Sequence, residues 1–122
     1  MGKLKTLDRF FGVLLLVGSV LHAYGSISFY RLGSAELVWA LSGSLAGGLT
    51  SVVNLVRAGR PEDTTVAWIS LVAAICWAIV AAGFGAAIGN LIDPRVLWHL
   101  VCALALATFS VLTVIGRAQT QW

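Results

Sequence analysis

Four long apolar runs, each closed by a short polar cluster, divide the chain. The first extends from about Phe10 to Phe29, behind Lys3, Lys5, Asp8 and Arg9. The second extends from Ala35 to Val56, the third from Thr65 to Ile88, and the fourth from Val96 to Ile115. Each reaches the ~20 residues that an α-helix needs to cross the hydrocarbon core of a bilayer. The polar clusters between them are turns in length. The pattern predicts an all-α integral membrane protein, with four transmembrane helices in an up-and-down bundle. Its spans lie near 10–29, 35–56, 65–88 and 96–115, in a single domain over 1–122.

The polar clusters read as helix punctuation. Gly33 suits a left-handed position after the first helix, and Ser34 can cap the second by accepting from a free first-turn amide. Pro61, Glu62 and Asp63 fit the first turn of the third helix, where proline loses no hydrogen bond and carboxylates meet the positive end of the dipole. Gly89 and Asn90 close that helix, Asp93 can cap the fourth and Pro94 can start it.

The second and fourth runs also resemble each other. At an offset of 59 positions, Ser34 falls on Asp93, Trp39 on Trp98, Leu45 on Leu104, Ala46 on Ala105 and Ser51 on Ser110. One inserted residue later, Arg57-Ala58 meets Arg117-Ala118. The first and third runs match poorly, so a repeat of two helical hairpins rests on this pair. Such a repeat, with both hairpins starting on one side, has the parallel geometry found in some transporters.

Composition strengthens the membrane reading. Of 122 residues, 59% are hydrophobic and 11% charged, with mean hydropathy +0.93, whereas soluble domains carry about 25% charged residues. The net charge of +3 does not point to nucleic acid, because the basic residues sit at the ends of runs rather than in a stripe interleaved with aromatics. They read as orientation signals. Lys3, Lys5, Arg9, Arg57, Arg60 and Arg117 fall on one side and Arg31 and Arg95 on the other, which predicts cytoplasmic termini, in an inner membrane of bacterial type. Tyr24, Tyr30, Trp39 and Trp98 then belong to one aromatic belt, and Phe10, Phe11, Trp68 and Trp122 to the other. Lys3 and Lys5 before Phe10 to Val20, with Ala23 in a small-residue position just beyond, resemble a secretory leader, but the segment is read as part of an uncleaved first span.

Small residues mark where helices can approach, since association in lipid relies on close packing. Gly43, Gly47 and Ser51 form one such row, and Ala73, Trp77, Ala81, Gly85 and Gly89 another. Thirteen glycines exceed what one bundle core needs, so partners are expected besides lipid: a homo-oligomer or other membrane subunits.

Candidate chemistry is sparse. His22 lies eight residues before Tyr30 and His99 five after Pro94, which places them ~12 and ~8 Å below the same boundary. Glu36 enters slightly beside them, and Cys102 follows His99 by nearly one turn. Three readings stay open. His22 and His99, with Glu36, could hold a haem iron or a transition metal; they could line a wet pathway; or each could bond a neighbouring helix as a structural residue. Asn54 reads as a helix-helix bonding group and Trp77 as an internal packing residue. No nucleophile, base and orienting group fall together, so an enzyme is not expected. The expected function is a non-catalytic subunit or oligomeric scaffold of a membrane assembly. A small transporter or channel for an ion or polar solute, and a haem- or metal-binding membrane protein, remain the alternatives.

Overall fold

The computed structural model describes residues 2–119, with backbone alone for 117–119. The side chains of Arg117 and Ala118, and Trp122, lie outside the described residues. Four helices follow one another: α1 (Gly2–Phe29), α2 (Ala35–Gly59), α3 (Thr64–Ala87) and α4 (Pro94–Gln119). Each is long and apolar enough to cross a membrane, and no strand occurs among the described residues.

Cross-helix contacts give the directions of the helices. Between α1 and α2, Asp8 meets Arg57, Gly12 meets Ser51 and His22 meets Ser44, so one chain rises as the other falls. Between α2 and α4, Asn54 meets Ser110 and Arg57 meets Thr113, both advancing together. Antiparallel neighbours and a parallel diagonal make an up-and-down bundle. Contacts are densest within the α1–α2 and α3–α4 hairpins, thinner across α1–α4 and α2–α3, and sparse on the α2–α4 diagonal.

Helix ends follow local chemistry. Ser34 Oγ accepts from Leu37 N–H at 3.2 Å and caps α2, after Gly33 has turned the chain at φ 81°. Asp93 Oδ1 accepts from Arg95 N–H at the start of α4, and Gly89 at φ 67° ends the preceding turn. Two ends differ from the sequence reading. Asp63 does not sit inside the first turn of α3 but caps it, accepting from Val66 N–H at 3.0 Å, so the helix begins at Thr64 and Pro61 and Glu62 precede it. A short carboxylate satisfies a free amide better from the capping position than from within the helix. The other difference is α1, which continues back to Gly2 through the polar stretch before Phe10, with Thr6 Oγ1 bonding the Gly2 carbonyl.

The core holds Leu15, Ala74, Trp77, Ala78, Cys102, Ala103 and Leu106 where α1, α3 and α4 meet. α2 contributes a different surface. Between Leu37 and Ala58, its buried residues are Ser44, Gly47, Thr50, Ser51, Asn54 and Arg57, all small or polar. Its large apolar residues Val38, Leu45, Leu49, Val52 and Val56 face outward. In lipid this arrangement is physically reasonable, because an outward leucine costs nothing and an inward hydroxyl gains a partner.

Close approaches locate the tight seams. A Cβ added at Gly47 would stand 2.6 Å from Ser19 Oγ and 2.8 Å from Trp77 Cζ2, and one at Gly12 would stand 2.7 Å from Leu55 Cδ2. Ala81 is buried, and a Cβ at Gly85 would meet Leu91 and Val96 at 3.0 Å. At Gly43 and Gly89 the added atom would meet nothing within 4 Å. The small-residue rows thus act through Gly47, Ser51, Ala81 and Gly85.

Candidate functional site

The polar side chains of the interior fall into two groups. Near the end that carries the 60–63 connection, Asp8 of α1 accepts from Arg57 of α2, whose second nitrogen donates to Thr113 Oγ1 of α4 at 3.1 Å. Arg57 is 1% exposed and Asp8 7%, so both charges are withdrawn from the surface. One turn inward, Ser110 Oγ reaches Asn54 Oδ1 at 3.2 Å, Ser70 Oγ donates to the Val53 carbonyl at 3.2 Å and Ser51 Oγ to the Gly12 carbonyl at 2.6 Å. Together these bonds tie α1, α3 and α4 to α2.

Arg57 and Asp8 carry a meaning that run-end charges do not reveal. Arg57 reads as an orientation marker, yet the structure turns it inward across the α1–α2 seam. The reason is that α1 continues as a helix to Gly2, which sets Asp8 opposite Arg57. An arginine one turn from a helix end, on the same face as Ser44, Gly47, Ser51 and Asn54, was the available signal.

The second group lies toward the end that carries the 30–34 and 88–93 connections. His22 Nδ1 is 2.7 Å from Ser44 Oγ, and Trp77 Nε1 donates to His99 Nδ1 at 3.2 Å. The imidazole centroids are 6.4 Å apart with their planes at 84°. The two histidines therefore meet, from the antiparallel neighbours α1 and α4, at one level.

The partner of His99 fixes its tautomer. An indole nitrogen can only donate, so His99 Nδ1 is an acceptor and the neutral ring carries its proton on Nε2. The Ser44 hydroxyl has one proton and two neighbours, the Ala40 carbonyl at 3.2 Å and His22 Nδ1 at 2.7 Å, so the tautomer of His22 follows from which of them it donates to.

This pattern bears on the metal reading. With nitrogen–metal bonds of ~2 Å and about another 1 Å to each ring centre, rings ~6 Å apart can reach one ion. The third ligand is the difficulty. Glu36 is exposed in the first turn of α2, Cys102 is 1% exposed within the core beside Trp77, and no group of three His, Cys, Asp or Glu residues gathers among the described residues. The contact at His99 also has the wrong polarity. A ligating imidazole donates from its second nitrogen, whereas His99 accepts there, so ligation through Nε2 requires the Trp77 bond to be lost.

Trp77 was expected to pack internally, and it occupies the centre of this group. It lies against Gly47 of α2, joins the cluster of Leu15 and Cys102, and stacks edge-on against His99 with centroids 5.6 Å apart. Trp98, expected as a belt anchor, is 39% exposed, crosses Gly18 of α1 and donates from Nε1 to the Leu14 carbonyl at 3.0 Å. Trp39, its counterpart in the repeat, is 76% exposed.

The outer surface of α2 carries two apolar grooves. One, of about 380 Å³, runs along α1 and is lined by Leu16, Val20, Ala23, Leu41, Gly48 and Leu49 among others. The other, of about 460 Å³, runs along α3 between Val53, Val66, Ile69 and Ala73. Leu49 and Val52 line both. They form a ridge between two furrows. Among known proteins the chain matches no family model, no curated protein and no solved structure, so its chemistry and shape alone carry the functional reading.

Proposed function

We propose that the protein is a non-catalytic subunit of a membrane assembly, built on a polar-cored four-helix bundle that joins its partner through the outer face of α2. In this reading the helices cross an inner membrane of bacterial type with both termini cytoplasmic, and the partner is a second copy of the chain. The observation that carries it is the ridge of Leu49 and Val52 between two apolar grooves.

Helices in lipid associate where ridges of one surface enter grooves of another, with small residues permitting close approach. A ridge flanked by a groove is self-complementary about a two-fold axis, since each ridge can occupy the other's groove. The interior supports the non-catalytic part. Ser51, Ser70, Asn54, Ser110 and Arg57 are all engaged across helix seams, and His22 and His99 each bond a neighbouring helix. These groups hold the bundle in one register rather than facing a passage.

The hairpin repeat fits the same scheme as an origin for two similar units, with Ser51 and Ser110 both fully buried. Native mass spectrometry from mild detergent tests the assembly. A dimer or higher oligomer is expected, and a clean monomer over the full accessible concentration range contradicts it.

A further inference from the structure

The contact between Trp77 and His99 is a hydrogen bond whose existence depends on one proton. Trp77 Nε1 can only donate, and it donates to His99 Nδ1 at 3.2 Å. A proton added to neutral His99 must go to Nδ1, because Nε2 already carries one. Two N–H groups would then point at each other across the α3–α4 seam. His22 responds differently. Its Nδ1 faces the Ser44 hydroxyl, which can donate or accept, so a proton on His22 leaves that bond able to form.

We propose that His99 and Trp77 form a proton-operated latch in the half of the bundle near the 88–93 connection: protonation of His99 turns its acceptor into a donor and releases the Trp77 indole. The groups that act on His99 are few. His22 faces it from α1 with centroids 6.4 Å apart, and on its own helix Arg95 lies one turn away, with its charge acting on His22. α3 presents Trp77, and α2 presents Gly47 and Ser44, none of which titrates in this range. A proton on His22 opposes one on His99, so the acid transition belongs to the pair.

The consequence reaches beyond one bond. Trp77 fills the space over Gly47, where even a Cβ would stand 2.8 Å from Cζ2, and it packs with Leu15 of α1 and Cys102 of α4. Releasing the indole therefore loosens the point at which all four helices meet.

The test follows tryptophan emission and near-ultraviolet circular dichroism of the full chain in nanodiscs, from about pH 8 to about pH 5, where imidazoles titrate. Wild type should show a reversible red shift of emission on acidification. His99→Asn offers an amide oxygen in place of Nδ1 but cannot be protonated there, so it should show none. Trp77→Phe should also show none, while His22→Asn should keep the shift. A flat wild-type profile, or an undiminished shift in His99→Asn or Trp77→Phe, overturns the proposal. Should His99→Asn fail to fold, nitrogen-15 chemical shifts of the wild-type imidazoles decide. A protonated Nδ1 on neutral His99 at pH 8 refutes the latch, and an unprotonated Nδ1 there that gains its proton with the red shift supports it.

Discussion

Replacing Asp8 by Ala should damage this bundle more than any other single change at its polar seams. The substitution removes the one carboxylate that pairs with Arg57 among the described residues, and a guanidinium stays charged when its partner is lost. Its guanidinium is 1% exposed, keeps one bond to Thr113, and has Nε without a partner even in the intact protein. Breaking a buried pair from one side costs about 3–5 kcal/mol. The lower part of that range applies, because Arg57 stands two residues from the end of α2 and a long side chain can swing toward water there. Asp8→Ala is thus expected to lose about 3 kcal/mol, read by reversible unfolding in bicelles. The double variant Asp8→Leu with Arg57→Met should recover most of it, since apolar replacement of both partners is often neutral or better. Asp8→Ala within about 0.5 kcal/mol of wild type would refute the reasoning, because that is the range of ordinary surface changes.

Two further outcomes follow from the geometry. Gly47→Val should destabilise by about 1–3 kcal/mol through overpacking against Ser19 and Trp77, whereas Gly43→Ala, with open space at its Cβ, should be neutral or gain up to about 1 kcal/mol from helix propensity; unfolding of the pair side by side checks the contrast. The Asp93 carboxylate is held down at about 2, against an ordinary 3.8, first by the side-chain bond from Arg95 and then by the Arg95 backbone amide. Its pKa is depressed on folding, so its contribution is fully present above 3.8 and fades as pH falls toward 2. Carbon-13 titration of the carboxyl should show this, with Arg95→Gln moving the midpoint back toward 3.8.

Much of the fold was legible because each boundary carries its own chemistry. Gly33 and Ser34, and Asp93 and Pro94, are placed by local rules that need no knowledge of the rest of the chain. The start of α1 was not legible, because hydropathy rises only at Phe10 while helical hydrogen bonding continues through Lys3, Lys5 and Arg9. That error hid the pairing of Asp8 with Arg57, residues 49 positions apart. Periodicity could not supply it either, since outward surfaces facing lipid are as apolar as the core. α3 is so apolar that only its small-residue row of Trp77, Ala81 and Gly85 signals the buried face, whereas α2 gives a polar signal, through Ser44, Gly47, Ser51 and Asn54.

The histidines show a similar division. Their common level followed from counting residues along two antiparallel spans, and the rings stand 6.4 Å apart. Their partners did not follow. Ser44 and Trp77 reach them from α2 and α3, and helix rotation, which hydropathy does not encode, decides which side chain arrives. That detail changes the chemistry, because the donor at Trp77 sets the tautomer of His99.

The role assigned to the outer face of α2 is tested most directly by a cysteine placed on its ridge. Cys76 is exposed and would compete, so Cys76→Ser is the starting background. Leu49→Cys, at a position 60% exposed between the two grooves, should form a disulfide-linked dimer when membranes are oxidised. Leu104→Cys on α4, at 53% exposed, should form no disulfide-linked dimer. No dimer from Leu49→Cys, or equal dimer from both positions, would contradict an assembly made through α2.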